Sequence, residues 1–164
     1  MRALSNHINV LPTRNVQQRE IHIPVLAGQR EGHMTILLVE DTDDDVFFFN
    51  RAWQKAGGPG RLLALPNGKD LLDYLSREGK FSDAQLFPWP DIVFLDLKMP
   101  MVSGFDVLKW VRQQNFTTPF PVVVLSGSSQ EEDIHMATDL GAADYLVKPI
   151  DQDDLKRRLL ALRK

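Results

Sequence analysis

Ile36-Leu37-Leu38-Val39-Glu40-Asp41 sets four consecutive apolar residues directly before two acids. A run this short, apolar throughout and closed by charge, suits a strand buried on both faces of a sheet. Short apolar runs recur at residues 62–65, 92–95, 122–125 and 145–147, the run at 62–65 closed by Pro66-Asn67 without a charge. Helical spacing lies between the runs: Leu71, Leu72 and Leu75 share a face, as do Phe105 and Leu108, and Leu155, Leu159 and Leu162. Breakers separate the elements, among them Gly57-Gly58-Pro59-Gly60, Asn67-Gly68, Pro88-Trp89-Pro90 and Gly141. Five strands alternating with five helices predict an α/β fold, a doubly wound five-stranded parallel sheet with helices on both faces. Residues 79–90 make a longer connection than usual, and Phe81, Phe87 and Trp89 within it predict that it folds down onto the body.

The rest of the chain frames this pattern. Residues 1–33 lack helical or strand periodicity and are interrupted by Pro12, Pro24, Gly28 and Gly32. They are expected to be an N-terminal extension, disordered or dispensable, ahead of a domain at 34–164. A composition of 43% hydrophobic and 25% charged residues excludes a wholly disordered chain. The absence of cysteine excludes a disulfide framework and thiolate metal sites, and suits a cytoplasmic protein. No run approaches the ~18 apolar residues that a membrane span needs. A net charge of −3 is too small to argue for nucleic acid.

In an open parallel sheet, ligands bind beyond the carboxyl ends of the strands, where strand order reverses. The residues that close the runs are therefore the candidates: Glu40 and Asp41, then Asp96, Ser126 and Lys148. Three carboxylates, a hydroxyl and an ammonium on one edge are more specific together than any of them alone. Each has a plainer reading. The acids of 40–45 suit a helix start, a part assigned here to Asp44 and Asp45. Asp96 could cap a turn, but an ion behind four buried apolar residues needs a partner. Lys148 could be a solvated lysine. Other chemistries fail on spacing: an EF-hand loop from Asp41 would need Gly and Glu where Val46 and Ala52 stand, and no phosphate-binding glycine loop is present. A phosphatase with an aspartate nucleophile would carry a second acid where Lys98 stands. The four histidines lack metal-ligand spacing.

Four motifs in order carry a resemblance: Ile-Leu-Leu-Val-Glu-Asp at 36–41, Phe-Leu-Asp-Leu-Lys-Met-Pro at 94–100, Leu-Ser-Gly at 125–127 and Asp-Tyr-Leu-Val-Lys-Pro at 144–149. Together they resemble the receiver domain of bacterial two-component response regulators, over about residues 34–163. The Asp-Asp-Val after Glu-Asp and the long loop before the third strand are similar to the stand-alone regulators paired with bacterial phytochrome kinases. Two departures are mild: Ser103 stands where Asp is frequent, and Ser126 where Thr is commoner.

The resemblance implies a flavodoxin-like sheet of order 2-1-3-4-5 and a signalling domain rather than an enzyme, one that assists its own phosphorylation and dephosphorylation. Asp96 is then the phosphoacceptor, a carboxylate nucleophile toward a phosphohistidine. Mg²⁺ would be held by Glu40, Asp41, Asp96 and the Lys98 backbone carbonyl. Lys148 would pair with phosphoryl oxygens, Ser126 and Tyr145 would form the switch, and the Lys148–Pro149 bond is expected to be cis. The partners implied are a sensor histidine kinase, of phytochrome type in the narrower resemblance, or a phosphotransfer protein. Phosphorylation is expected to remodel the surface built from residues 130–162, which would then bind a second copy or a target. Because the sequence stops one helix after Lys148, output is expected through protein contacts or phosphorelay. Two alternatives stand behind this: a non-phosphorylated receiver-like binding module, and a DNA-binding regulator supported only by Lys156, Arg157, Arg158, Arg163 and Lys164.

Overall fold

Alternate residues of each strand point to opposite faces, so a continuous apolar run fills two cores at once. A computed structural model describes Glu20–Ile21 and residues 34–162. On one face of its sheet, Leu37, Val39, Val93, Leu95 and Val124 pack against Leu71, Tyr74, Val107, Leu108 and Ala137. On the other, Ile36, Leu38, Phe94, Val123 and Leu125 pack against Val46, Phe49, Trp53, Leu155 and Leu159.

In chain order the strands are β1 (Glu20–Ile21), β2 (Thr35–Val39), β3 (Arg61–Leu65), β4 (Ile92–Asp96), β5 (Val122–Ser126) and β6 (Asp144–Val147). The helices are α1 (Asp43–Lys55), α2 (Gly68–Ser76), α3 (Gly104–Gln113), α4 (Glu131–Asp139) and α5 (Gln152–Leu162). Spatial order is β1-β3-β2-β4-β5-β6. The last five strands run parallel, and counted alone they give the order 2-1-3-4-5. From β2 the chain moves outward to β3 and then returns across to β4. The carboxyl ends of β2 and β4 therefore lie side by side at the point where the order reverses.

The structure adds one feature to the five expected strands. Glu20 and Ile21 pair antiparallel with Leu63 and Leu62 of the edge strand β3. An exposed edge presents unpaired backbone groups, which a passing segment can satisfy with only two residues. So short a pairing leaves no periodicity to read. The remainder of the expected extension lies outside the described residues.

Local chemistry fixes the helix starts near the sheet edge. The Asn67 side chain accepts from Asp70 N at 2.7 Å and begins α2. Ser103 and Asp106 form a reciprocal capping box that begins α3. The serine at this departure from the family pattern therefore serves as a helix cap. At Gly104 a Cβ would lie 2.4 Å from the Asp96 carbonyl oxygen and 2.7 Å from Leu97 Cα. Only glycine lets α3 start this close to the end of β4. Segment 79–90 folds down as expected: Phe81 and Phe87 are buried, Tyr74 Oη donates to the Pro88 carbonyl, and Trp89 Nε1 donates to the Thr118 carbonyl at 2.8 Å.

Candidate functional site

All five run-closing residues meet at the carboxyl edge of the sheet. Glu40 follows β2 and Asp96 ends β4, and they are only 3% and 4% exposed. Asp41 beside them is exposed. One carboxylate oxygen from each of Glu40, Asp41 and Asp96 lies within 4.8 Å of the others. Lys148, just past β6, reaches across with Nζ 2.5 Å from Glu40 Oε2 and 3.2 Å from Asp96 Oδ1. Its backbone N–H donates to the Ser126 carbonyl at 2.8 Å, which fixes the root of this side chain to the end of β5. The Lys148–Pro149 peptide is cis.

The electrostatics follow from burial. Desolvation holds the Glu40 carboxyl above its ordinary value, and the hydrogen bond from Lys148 only partly opposes it. Desolvation raises Asp96 as well, against the nearby Lys148 charge, and the Asp41 carboxylate adds to the rise. Burial alone would lower Lys148; its hydrogen bonds to Asp45 and Glu40 and the charge of Asp96 instead hold it well above an ordinary lysine. Three carboxylates (Glu40, Asp45 and Asp96) thus contact one ammonium, and Asp41 is clustered with two of them. Such an excess of hard oxygen donors suits a divalent cation, which is the fit the donor set offers.

Two participants were not legible from the run endings. Asp45, read from sequence as a helix-start acid, does lie in the first turn of α1, but its Oδ2 is also 2.8 Å from Lys148 Nζ. The available signal was its place in that turn: helical side chains lean toward the helix N-terminus, here toward the sheet edge. Ser128 is the other. Its N–H donates to Ser126 Oγ at 3.1 Å, and its carbonyl accepts from Tyr145 Oη at 3.0 Å. The two expected switch residues are thereby joined through one loop residue. Ser126 is fully buried and Tyr145 half-buried. Lys98 lies two residues beyond Asp96, and its backbone weakly opposes the rise at the Asp96 carboxyl.

The family model for the response regulator receiver domain matches this chain over residues 36–160. The chain belongs to the response regulator receiver family. A relative from Methanothrix harundinacea, FilR2, named as a probable methanogenesis regulatory protein, is 35% identical over 129 residues; the match covers 79% of this chain and 81% of FilR2. The chain spans about a third or less of the length of several other curated relatives. Among solved structures, the bacteriophytochrome response regulator RtBRR superposes with a TM-score of 0.70 at 34% identity, covering 80% of this chain and 78% of that one. The phosphorylated cyanobacterial phytochrome response regulator RcpA gives 0.67 at 30% identity, covering 80% and 92%. The Mn(2+)-bound form of response regulator Rcp1 gives 0.64 at 28% identity, covering 79% and 91%. The receiver is a signalling domain of two-component systems, and its likeness to phytochrome-associated regulators matches the narrower resemblance drawn from sequence.

Two further expectations meet the structure here. Among the basic residues of α5, Arg157 pairs with Asp154, and Arg158 with Asp154 and Asp144, so these cations are engaged within the domain. Arg163 and Lys164 lie outside the described residues. Among the described residues, no helix is long and apolar enough to cross a membrane.

Proposed function

We propose that this receiver is a cytoplasmic phosphorylation-dependent switch or relay whose phosphoacceptor is Asp96. The observation that carries the reading is Asp96 itself, buried at the end of β4 with Lys148 Nζ 3.2 Å from its Oδ1 and Glu40 and Asp41 alongside. The donor is a phosphohistidine on a sensor kinase or phosphotransfer protein. An Asp96 carboxylate oxygen attacks phosphorus; the new P–O bond forms as the P–N bond breaks, and the imidazole leaves with the bonding electrons. Lys148 meets negative charge on the phosphoryl oxygens. Mg²⁺ held by Glu40, Asp41, Asp96 and the Lys98 carbonyl would neutralise charge on the transferring group.

The surroundings support a protein donor. An open groove of about 320 Å³ adjoins the site between α1 and the start of α5, lined by Phe48, Arg51, Lys55, Pro149 and Ile150 among others. Exposed Phe47 and Phe48 beside it suit a macromolecular contact. A phytochrome-type kinase is the donor favoured by the likeness to RtBRR and RcpA.

Incubation with acetyl phosphate and Mg²⁺, followed by intact mass, tests the assignment. Wild type is expected to gain one phosphoryl group and Asp96→Asn none. Equal incorporation by both would sink it.

A further inference from the structure

Lys148 has three N–H bonds and three carboxylate partners: Glu40 at 2.5 Å, Asp45 at 2.8 Å and Asp96 at 3.2 Å. Two of these partners have another claim on them. Glu40 and Asp96 belong to the three-acid cluster with Asp41, and Asp45 does not. When a cation and a phosphoryl group engage the cluster, Asp45 is the partner left to hold the ammonium. A lysine tip on a four-carbon stem has many rotamers and points only where something fixes it. Asp45 is placed to do that: it sits in the first turn of α1 with its side chain 41% exposed and its Oδ2 2.8 Å from Lys148 Nζ.

We infer that Asp45 is a positioning residue that holds the Lys148 ammonium in line with Asp96 for phosphoryl transfer. The inference rests on the reading of Asp96 as phosphoacceptor. Asp45 reaches neither the phosphoryl group nor the cation; it acts through Lys148. Its contact is made from the helix side, leaving the ammonium, now paired with Asp96 Oδ1 at 3.2 Å, free to meet a phosphoryl oxygen. This also gives the third acid of the α1 first turn a task that a favourable helix-end charge does not require.

The test is a double-mutant cycle on phosphorylation by acetyl phosphate, with rates from intact mass across a range of acetyl phosphate and Mg²⁺ concentrations. Asp45→Ala is expected to lower the maximal rate on the order of tenfold, and to have no further effect in a Lys148→Ala background. Half-saturating Mg²⁺ should stay as in wild type, because Asp45 is outside the cluster. Asp45→Asn, which keeps an oxygen acceptor without the charge, should fall between wild type and Asp45→Ala. Thermal melts of every variant establish that each is folded at the assay temperature. A wild-type rate in Asp45→Ala, an equal loss in both backgrounds, or a loss confined to Mg²⁺ affinity would each overturn the inference. Equal phosphate uptake by wild type and Asp96→Asn would instead overturn the reading of Asp96 on which it rests.

Discussion

At the scale of single residues, the site trades stability for charge. Asp96 and Glu40 are carboxyls whose burial raises their folded pKa above the unfolded value near 4. Through that window the folded state keeps protons the unfolded state has lost, so each acid makes the cation-free protein less stable as pH rises. Lys148 responds in the same direction but at higher pH: its raised pKa contributes stability that is complete below the ordinary lysine value of 10.5 and is lost as pH rises through the higher folded one. Asp96→Asn keeps the shape and removes one of the clustered charges. In chelator at pH 7 this variant should melt above wild type, with each ~1 kcal/mol appearing as ~2–4 °C at this chain length. The difference should shrink toward pH 4, where wild type takes up the proton. A variant melting below wild type at pH 7 would mean that its attraction to Lys148 outweighs burial and repulsion. Gly104 is the second sensitive position. Its missing Cβ is the space taken by the Asp96 carbonyl, so Gly104→Ala should cost roughly 1–3 kcal/mol by displacing the start of α3. Denaturant unfolding measures that loss, and an unchanged midpoint would show that the loop yields freely.

At the scale of elements, what was legible follows from how each strand ends. Buried apolar runs announce their strands, and the polar residue closing each run falls at the sheet edge because the strands are parallel. Glu40, Asp41, Asp96, Ser126 and Lys148 could therefore be placed together before any coordinates. Asp45 escaped because a helix start already accounts for an acid there, and nothing in the spacing reports a lysine 103 residues away. Ser128 escaped because it bridges Ser126 and Tyr145 through its backbone, which any residue type possesses. That bridge makes the loop after β5 the element through which phosphate would be read. If Ser126 Oγ turns to a phosphoryl oxygen, the Ser128 N–H loses its acceptor, and the loop carrying the Tyr145 contact is released. A hydrogen bond to a charged oxygen is worth roughly 1.5–3 kcal/mol, enough to move a two-state equilibrium about tenfold or more. With the phosphoryl analogue beryllofluoride, wild-type amide resonances should shift across residues 126–147. In Ser126→Ala the shifts around Asp96 should persist while those of 127–147 diminish. Equal shifts in both proteins would remove Ser126 from the switch.

At the scale of the whole molecule, two surfaces lie on opposite sides of the sheet order, and they call for different expectations. At the β3 edge, β1 contributes a two-residue antiparallel pairing. A net ~0.5–1.5 kcal/mol per hydrogen bond makes so short a ladder a minor part of the fold. Deleting residues 1–33 should therefore lower the melting temperature by only a few degrees and leave phosphorylation unchanged; a large loss would show that the extension packs on the domain. At the β6 edge, Met136 of α4, Val147 of β6 and Leu160 of α5 are large apolar side chains left 48%, 42% and 57% exposed. Tyr145 lies on β6 and packs on the α4 side of the sheet, with its hydroxyl tied to the loop beside Ser126. If Ser126 turns toward a phosphoryl group on Asp96, the change can reach Tyr145 through the two hydrogen bonds of Ser128, and burying the apolar groups of this surface against a second copy would favour the changed state. Light scattering should show wild type doubling in mass with beryllofluoride and Mg²⁺. Leu160→Glu, remote from the acidic site, should take up phosphate as wild type does but stay monomeric, since a charge would have to be buried unpaired at the contact. If wild type keeps one mass in both states, the surface serves a different partner; if Leu160→Glu doubles as readily, the second copy docks elsewhere.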